Sequence, residues 1–308
     1  LKMKKKILAI QGSSLKKINI KTDTSFFLGL EAQRRNYEIF YYEPKDLSFI
    51  NGKVIARCCI LKLQDNSKNP IKILNKGVLN LVKAEVLLIR NEPPFNQQYI
   101  NTTFILEHIT KKLKIINNPK ALREVPEKLF SLRLIKFMPS TLVSEDLDEI
   151  KKFFDKNKKV IIKPIEGYSG NDVKLLNKFN KAKIFRYIKK YHHLMFQQFI
   201  PQISYGDKRV FIINGKVKGA ISRIPKQGSI LSNMSKGARA KETKITNQEL
   251  KISKIVASEL KKLNIYFAGI DFINGKLIGD INVTSPTGLK THHDLTGINL
   301  AKYFFDNI

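Results

Sequence analysis

Three Asn-Gly dipeptides, each between two apolar segments, constrain the fold of this chain more than any other sequence feature. They are Asn51-Gly52, Asn214-Gly215 and Asn274-Gly275. Because Asn and Gly readily adopt the positive φ angles of a type I′ turn, each dipeptide predicts a tight β-hairpin. Two of the three hairpins fall in the last third of the chain, so we expect antiparallel sheets there.

The first third of the chain alternates apolar strands with helical segments, which is typical of a parallel sheet covered on both faces. Its predicted strands are Lys5–Ile10, Tyr37–Tyr42, Ala84–Arg90 and Ile115-Ile116, its predicted helices are Ser25–Arg35 and Thr102–Lys112, and Asn66–Leu81 is a predicted loop. Later helices are predicted at Val125–Lys136, Leu147–Asn157, Gln248–Leu263 and Leu295–Asn307. The sequence therefore predicts an α/β N-terminal domain with a parallel sheet, followed by α+β lobes with antiparallel sheets that suit a nucleotide held between them.

The chain carries a large excess of positive charge. Its 56 Lys and Arg residues against 26 Asp and Glu residues give a net charge of +30. Such a charge is found in nucleic-acid-binding proteins, but it also arises from a compositional bias toward Lys. The lysines are scattered along the whole chain, and aromatic residues do not alternate with basic ones as a base-stacking surface requires. We therefore expect no specific nucleic-acid partner.

The sequence shows no sign of membrane insertion or export. No segment approaches the roughly 18–20 consecutive apolar residues that a transmembrane helix needs, so we expect no membrane association. The basic N-terminus is followed by an apolar run too short for a signal peptide, and we expect translation to start at Met3. The two cysteines, Cys58 and Cys59, are adjacent, and neighbouring cysteines rarely pair. These features indicate a reducing compartment, the cytoplasm.

A lysine at the end of an apolar strand is the first candidate for chemistry. The strand Val160–Lys163 is followed by Pro164 and by the loop Glu166–Gly170, which contains two glycines. A lysine in this place reaches phosphate oxygens as a point charge, and glycines let backbone N–H groups approach phosphates closely. The alternative is a solvated lysine beside an ordinary turn, and this motif alone leaves both interpretations open.

Oxygen-bearing side chains lie on both strands of the last predicted hairpin. Asp280 and Asn282 are two residues apart on one strand and therefore share a face, and Asp271 lies on the partner strand. Carboxylate and amide oxygens suit a hard cation such as Mg²⁺, which proteins usually share with substrate phosphates. The alternative is the exposed polar face of a surface strand, but the flanking residues are apolar, which favours a metal site.

Two further features fit chemistry on phosphate groups. Arg209 lies near the start of a predicted strand, where it either stabilises charge on a transferring phosphoryl group or belongs to a solvated run of charges. The polar segment Pro225–Glu242 is long for a loop, and loops of this length often form lids or binding loops.

Together these motifs resemble those of the bacterial glutathione synthetases, a family within the ATP-grasp ligase superfamily. The resemblance is carried by Lys163-Pro164 with its glycine loop, Gly206–Val210, Arg223–Pro225 and the highly specific run Asp280–Thr287. It extends to Asn19–Lys21 with Asp23, Leu30–Arg35, Pro93–Phe95 and Glu127–Phe130. The motifs occur in the family's order and span nearly the whole chain.

The resemblance implies a domain division and a set of site residues. The domains are an N-terminal α/β (pre-ATP-grasp) domain at 1–119, an ATP-grasp small lobe at 120–190 and an ATP-grasp C-terminal lobe with the metal site at 191–308. The implied ATP-binding residues are Lys128, Lys163, Gly167, Tyr168, Ser169, Gly170, Gln197, Gln198, Phe199, Ile200 and Asp207. The implied ligands of Mg²⁺ (or Mn²⁺) are Asp271, Asp280 and Asn282, and the implied catalytic residues are Arg209 and Lys163. The implied substrate-binding residues are Asn19, Lys21, Asp23, Arg223, Asn233, Arg239, Ser285, Pro286 and Thr287.

The reaction that the resemblance implies joins γ-glutamylcysteine to glycine. ATP phosphorylates the cysteinyl carboxylate, and the glycine amine attacks the acyl phosphate to give glutathione, ADP and phosphate. The resemblance also implies a homo-oligomer. A related ligase that joins another acid and amine, such as a glutamate-adding ligase, and a nucleotide-binding protein without turnover stay open as alternatives. The chain departs from the family at Asp280, where glutamate is usual.

Overall fold

The computed structural model describes residues 5–65 and 68–308, and these residues form sheets of seven, four and five strands. The expected start at Met3 and the first two residues of the predicted loop Asn66–Leu81 lie outside the described residues. Within the described residues, no helix is both long and apolar enough to cross a lipid bilayer. The predicted fold class is confirmed, because an α/β region comes first and lobes with antiparallel sheets follow it.

The N-terminal domain is built on the seven-stranded sheet. Its strands β1, β2, β6 and β7 are parallel to one another, whereas β3, β4 and β5 add to the β2 side as antiparallel strands. The elements are β1 (Lys6–Gln11), α1 (Thr24–Arg34), β2 (Tyr37–Tyr42), β3 (Leu47–Ile50), β4 (Lys53–Leu63), β5 (Ile71–Asn80), β6 (Val86–Ile89), α2 (Gln97–Glu107), β7 (Lys114–Ile116) and α3 (Pro119–Glu124). Because β2 and β6 lie on opposite sides of β1, the loops that follow β1 and β6 diverge and leave a crevice, where open α/β sheets bind ligands.

The second and third sheets form two lobes that face each other. The four-stranded sheet has the order β10-β9-β11-β8 and the five-stranded sheet the order β14-β13-β12-β15-β16. The first lobe contains β8 (Thr141–Ser144), α4 (Leu147–Asn157), β9 (Val160–Pro164), β10 (Lys174–Leu176), α5 (Lys181–Tyr191) and β11 (Leu194–Gln198). The second contains β12 (Asp207–Ile213), β13 (Lys216–Ile224), β14 (Arg239–Glu242), α6 (Asn247–Lys262), β15 (Phe267–Ile273), β16 (Lys276–Asn282), α7 (Leu289–Thr296) and α8 (Leu300–Asp306). Since β11 pairs with both β8 and β9, we propose that the small lobe ends after Gln198, not at residue 190.

All three predicted Asn-Gly hairpins are confirmed. The dipeptides join β3 to β4, β12 to β13 and β15 to β16. The φ angles of the asparagines are 48° in each case, and those of the glycines are 80°, 69° and 72°. Two consecutive positive φ angles are the type I′ conformation that was expected, because this turn matches the right-handed twist of paired strands.

Several predicted elements are wrong, each for a local reason. The predicted loop Asn66–Leu81 contains β5, whose polar pattern arises because it is exposed on both faces, with Leu79 alone buried. The predicted helix Val125–Lys136 is replaced by a 3₁₀ helix over Phe130–Phe137. Pro126 has no N–H group to continue α3 through that segment. The predicted helix Leu295–Asn307 is two helices, because Gly297 ends α7 with a φ angle of 72°.

Two helices in the middle of the chain also differ from the prediction. Helix α2 was predicted at Thr102–Lys112 but begins five residues earlier, at Gln97, where the side chain of Asn96 accepts a hydrogen bond of 3.0 Å from the N–H of Tyr99. Helix α5 was not predicted, although Ile184 is buried and Tyr187, Ile188 and Tyr191 pack against the core of the small lobe. Helix α1 is capped by Asp23, whose side chain accepts a 2.6 Å hydrogen bond from the N–H of Phe26.

Asn117, just after β7, joins the N-terminal domain to the C-terminal lobe. Its side-chain N–H₂ donates to the carbonyl oxygens of Phe267 (2.8 Å) and Val283 (2.7 Å). Its side-chain oxygen accepts from the N–H groups of Tyr266 (2.9 Å) and Phe267 (2.8 Å). The buried amide thus uses all four of its hydrogen-bonding positions. This contact fixes the ends of β15 and β16, from which the site below is built.

Candidate active site

A cleft of about 460 Å³ lies between the four-stranded and five-stranded sheets and reaches the loops that follow β1 and β6. Most of the side chains predicted for the site line this cleft. They are Asn19, Asp23, Lys128, Lys163, Gly167, Tyr168, Ser169, Gly170, Gln197, Gln198, Phe199, Ile200, Asp207, Arg209, Arg223, Asn233, Asp271, Asp280, Asn282, Ser285 and Thr287. Residues from all three parts of the sequence therefore meet around one cavity.

Three of the predicted substrate-binding residues are not among the residues that line the cleft. Lys21 lies in the turn after β1, where its N–H donates to the side chain of Asn19. Arg239 is exposed at the start of β14 and pairs with Ile224. Pro286 lies behind the cleft wall, where its carbonyl oxygen accepts a 2.8 Å hydrogen bond from Arg90.

Two buried lysines lie on either side of one carboxylate. The ammonium of Lys163, at the end of β9, donates to the carbonyl oxygen of Ile278 (2.8 Å) and lies 3.7 Å from Asp280. The ammonium of Lys128 donates to the carbonyl oxygen of Gly167 and lies 3.6 Å from Asp280. Burial lowers the pKa of Lys163. Because both ammonium groups exceed hydrogen-bonding distance from the carboxylate, the pair retains positive potential that an anion can neutralise.

The glycine loop packs under the long loop that follows β13. Gly170 has a φ angle of 70°, and a Cβ atom there would lie 2.5 Å from the side-chain oxygen of Asn233. On the same side, Lys236 donates a 2.8 Å hydrogen bond to the side chain of Asn171. Glycine is favoured at residue 170 by its positive φ angle, and a side chain there would displace the side chains of Leu231 and Asn233 in the covering loop. The loop Pro225–Glu242 therefore lies over the segment Gly167–Gly170, as a lid would.

The cleft has an apolar slot beside the end of β11. Its walls include Ile161, Ile203 and Ile278, and the backbone of 197–200 forms its edge. The side chain of Gln197 is fixed by donating a 3.1 Å hydrogen bond to Thr141, and the N–H of Phe199 donates to the carbonyl oxygen of Lys159 at 3.0 Å. An apolar slot with a polar backbone edge suits an aromatic ring that carries hydrogen-bonding atoms, such as a nucleobase.

Two arginines and two aspartates form a buried cluster on the cleft floor. Arg209 donates to both oxygens of Asp271 at 2.8 and 2.7 Å. Arg223 pairs with Asp207 and also lies 2.9 Å from Asp271. Burial alone would raise the pKa of Asp271, but the two guanidinium groups outweigh burial and hold its pKa well below the usual range. The carboxylate therefore stays ionised and holds both arginines in place.

The residues around Asp280 fit a magnesium ion in part. Gly269 pairs with Asn282 and Ile270 with Ile281, a register that places Asp271 and Asp280 on the face that carries Asn282. The amide of Asn282 donates to the carbonyl oxygen of Gly269 at 3.1 Å, which leaves its oxygen for a cation. Asp271 is already paired with the arginines. Among residues 5–65 and 68–308, no group of three or more His, Cys, Asp or Glu side chains could hold a metal ion by itself. A cation here would therefore need oxygens from a bound phosphate.

The segment Val283–Gly288, which we call the acceptor loop, is fixed from outside by two residues to which the sequence analysis gave no role, although one of them, Glu127, begins the family motif Glu127–Phe130. One oxygen of Glu127 accepts from the N–H of Val283 (2.8 Å) and from the N–H and hydroxyl of Thr284 (3.0 and 2.9 Å). Thr24, at the start of α1, accepts from the N–H of Gly288 at 3.0 Å.

Arg90 holds the middle of the acceptor loop and was also missed. It donates to Pro286 and to the hydroxyl of Ser25, and its own carbonyl oxygen accepts from Ser285. Complete burial lowers the pKa of Arg90 to about 10. The sequence offered one signal for it, an arginine that ends an apolar strand. Its partners are up to 196 residues away, so sequence spacing could not identify them.

Comparison with solved structures identifies the fold. D-cycloserine synthetase DcsG superposes with a TM-score of 0.65 at 13% identity, over 97% of each chain. The ATP-grasp ligase PsnB, in a complex with a precursor variant, Mg and ADP, gives a TM-score of 0.64 at 14% identity, over 98% of this chain and 97% of that chain. Both matches show the ATP-grasp fold. With the family matches below, they identify the chain as an ATP-dependent carboxylate–amine ligase.

Comparison with protein families is more specific. The model of the prokaryotic glutathione synthetase N-terminal domain matches residues 7–123, and that of the prokaryotic glutathione synthetase ATP-grasp domain matches residues 127–297. A glutathione synthetase from Bradyrhizobium diazoefficiens is 37% identical over 305 residues, which cover 98% of this chain and 97% of the relative. The chain belongs to the prokaryotic glutathione synthetase family.

The buried cluster predicts a specific response to acid. A carboxylate whose pKa is lowered by folding stabilises the protein above its ordinary pKa of 3.8, and this stabilisation is lost as pH falls toward the lowered value. We expect Asp271→Asn to lower the free energy of unfolding by about 3 kcal/mol at neutral pH, because it leaves buried arginines without their partner. We also expect the variant to lose less further stability than the parent below pH 3.8.

Urea unfolding monitored by circular dichroism over a pH series checks this prediction. The matched control is Asp155→Asn, which removes an exposed carboxylate paired with Lys151 and should behave like the parent. Equal stability of Asp271→Asn and the parent at neutral pH would contradict the argument.

Proposed function

We propose that this enzyme makes glutathione from γ-glutamylcysteine and glycine through an acyl phosphate. A carboxylate is a poor electrophile until one of its oxygens becomes a leaving group, and phosphorylation by ATP supplies that leaving group. The observation that carries the proposal is the pair of buried ammonium groups, Lys128 and Lys163, beside a glycine loop in the cleft of a glutathione synthetase family member.

In this proposal, the nucleotide lies between the two lobes. The adenine ring occupies the slot beside residues 197–200, and the phosphates lie against Lys128, Lys163 and the backbone of Gly167–Gly170. The position of the two ammonium groups supports this placement, since they are buried and only loosely paired with Asp280. Residues of the loop Pro225–Glu242, such as Asn233, exclude water from the phosphates.

Mg²⁺ (or Mn²⁺) is the proposed cofactor, held by Asp280 and the side-chain oxygen of Asn282, with Asp271 adjacent. When bound, the ion would neutralise charge on the transferring phosphoryl group. The free side-chain oxygen of Asn282 supports this assignment. Asp280 stands where the family usually has glutamate, whose side chain is longer. Its carboxylate lies 3.6 and 3.7 Å from the ammonium groups of the two lysines and has no closer ion-pair partner among the described residues.

The acceptor lies at the other end of the cleft, against the N-terminal domain. Arg209 is directed by Asp271 and reaches the acceptor loop, where its contacts with Thr287 are 3.5 Å long. We propose that Nη1 of Arg209 exchanges this weak contact for the acceptor carboxylate and stabilises charge on it during transfer, while Asp271 keeps the guanidinium in place. Ser285, Thr287, Asn19 and Asp23 line the space beside it and are the proposed contacts of the peptide.

The cellular setting and the assembly are also proposals. Two free thiols, Cys58 and Cys59, support a reducing compartment such as the cytoplasm, and activity confined to the membrane or export fraction would exclude it.

The edge strand β5 supports a homo-oligomer, because it exposes 46–64% of Ile73, Leu74 and Val78. Light scattering that gives the mass of one 35.4 kDa chain at all concentrations would exclude an oligomer.

ADP release in the presence of different acids and amines tests the proposed reaction. We expect γ-glutamylcysteine with glycine to give the highest kcat/KM and one glutathione per ADP. Lys163→Ala should lose most of its ATP affinity in calorimetry, because a buried cation that faces the phosphates is gone. Lys156→Ala, an exposed position on α4, is the matched control and should bind ATP normally. A higher kcat/KM for another acid and amine pair would reassign the substrate.

The metal site predicts a change in magnesium dependence. Asp280→Asn keeps the shape of the side chain but removes a negative charge from the cation, so we expect about tenfold more Mg²⁺ for half-maximal activity and a lower turnover. Asp280→Glu restores the usual residue of the family and should be tolerated. Asp294→Asn, an exposed carboxylate paired with Lys290, is the control. Turnover of Asp280→Asn at limiting Mg²⁺ that equals the parent's would show that Asp280 is not a ligand.

A further inference from the structure

In the second half of the reaction, a group in the cleft must bind the incoming amine and take a proton from it. An amino acid in neutral water carries its amine as an ammonium ion, which has no lone pair for attack. One proton must therefore leave before the C–N bond forms, and a carboxylate within hydrogen-bonding reach is a suitable acceptor. Such a carboxylate should face the cleft and should not already be paired with a cation of the protein.

Six carboxylates line the cleft, and most of them already have a partner. They are Asp23, Glu92, Glu127, Asp207, Asp271 and Asp280. Asp207 and Asp271 are paired with arginines, and Asp280 lies between two lysines. Asp23 caps helix α1, and the buried guanidinium of Arg90 is close enough to act on its charge. Glu92 is exposed at the rim, where water screens its charge. Glu127 is the half-buried carboxylate that remains.

Glu127 has one oxygen held by the protein and one oxygen left for a ligand. The three hydrogen bonds from Val283 and Thr284 all reach Oε1. Among the described residues, Oε2 accepts no hydrogen bond and Glu127 forms no salt bridge, although the chain has 56 lysines and arginines. The three donors fix the orientation of the carboxylate, so its free oxygen has a defined position in the cleft wall.

The location of Glu127 suits the ligation step. Its carbonyl oxygen accepts a 3.2 Å hydrogen bond from the N–H of Ile281, between Asp280 and Asn282. The next residue is Lys128, whose ammonium approaches Asp280. Glu127 therefore lies between the proposed phosphate site and the acceptor loop, where the acyl phosphate would meet the amine.

We propose that Oε2 of Glu127 binds the ammonium of the incoming amine and takes one of its protons. The free amine then attacks the acyl carbon, and a C–N bond forms. A second proton passes from nitrogen to the departing phosphate as the C–O bond to phosphate breaks, and the third stays on the amide nitrogen. Glu127 returns its proton to solvent. This inference rests on the proposed function, because it assumes the acyl phosphate.

The substitution Glu127→Gln replaces the free oxygen, Oε2, and keeps the oxygen that contacts the acceptor loop. The side-chain oxygen of glutamine still accepts from Val283 and Thr284, whereas its N–H₂ group replaces Oε2 and repels an ammonium ion. We expect kcat/KM for glycine to fall about a hundredfold, within the usual range for loss of a general base. The KM for ATP should change little, because Lys128 and Lys163 are intact.

Hydroxylamine separates this role from a structural one. It is uncharged at neutral pH and traps acyl phosphates as hydroxamates, so it needs no base to become a nucleophile. We expect Glu127→Gln to form hydroxamate from γ-glutamylcysteine and ATP at a rate within about threefold of the parent, since transition-state contacts in the first step are unchanged. Glu124→Gln, an exposed carboxylate three residues earlier, is the control and should match the parent with both amines.

Each outcome decides one question. If Glu127→Gln loses glycine ligation and hydroxamate formation equally, Glu127 only shapes the acceptor loop and the inference is wrong. If glycine ligation by Glu127→Gln equals the parent's, the inference is also wrong. If the parent itself forms no hydroxamate from γ-glutamylcysteine, the acyl phosphate and hence the proposed function fail.

Discussion

Buried charge that is not fully balanced is the constraint on which the rest of this site depends. Two lysines and two arginines meet three carboxylates on the cleft floor: Lys128, Lys163, Arg209, Arg223, Asp207, Asp271 and Asp280. Removing each charge from water costs several kcal/mol unless partners replace the water. The arginines are fully paired, whereas the lysines share one carboxylate at more than 3.5 Å. The unbalanced charge is therefore confined to the place where an anionic ligand would bind.

This constraint explains why the site is assembled from separate parts of the chain. Lys163 comes from β9 in the small lobe, and Asp280 comes from β16 in the C-terminal lobe. Because the ammonium of Lys163 lies 3.7 Å from the carboxylate of Asp280, this ion pair joins the two lobes at the cleft floor. Asn117 and Glu127 then fix β15, β16 and the acceptor loop, so that the charges keep their positions when the cleft is filled.

Local chemistry could be predicted from the sequence, and long-range pairing could not. The three Asn-Gly turns were predicted because the turn depends on the two residues themselves. Lys163 was found because a strand and a glycine loop flank it directly. The pairing of Asp271 with Arg209 joins residues 62 positions apart, so the sequence predicted Asp271 as a metal ligand but could not show that it also anchors two arginines. Strand β5 was missed because an edge strand that is exposed on both faces has no alternation to detect.

The net charge of +30 is not explained by the cleft. The cleft floor carries an excess of one positive charge among its seven paired side chains, so nearly all of the surplus lies elsewhere, much of it on exposed surfaces such as α5. At physiological ionic strength, charges separated by more than about 8 Å are largely screened from each other. Scattered surface lysines therefore contribute little to the affinity of the site for ATP. Their effect is on the rate at which anionic substrates reach the cleft, a rate that depends on ionic strength, whereas the few buried charges determine what the cleft binds.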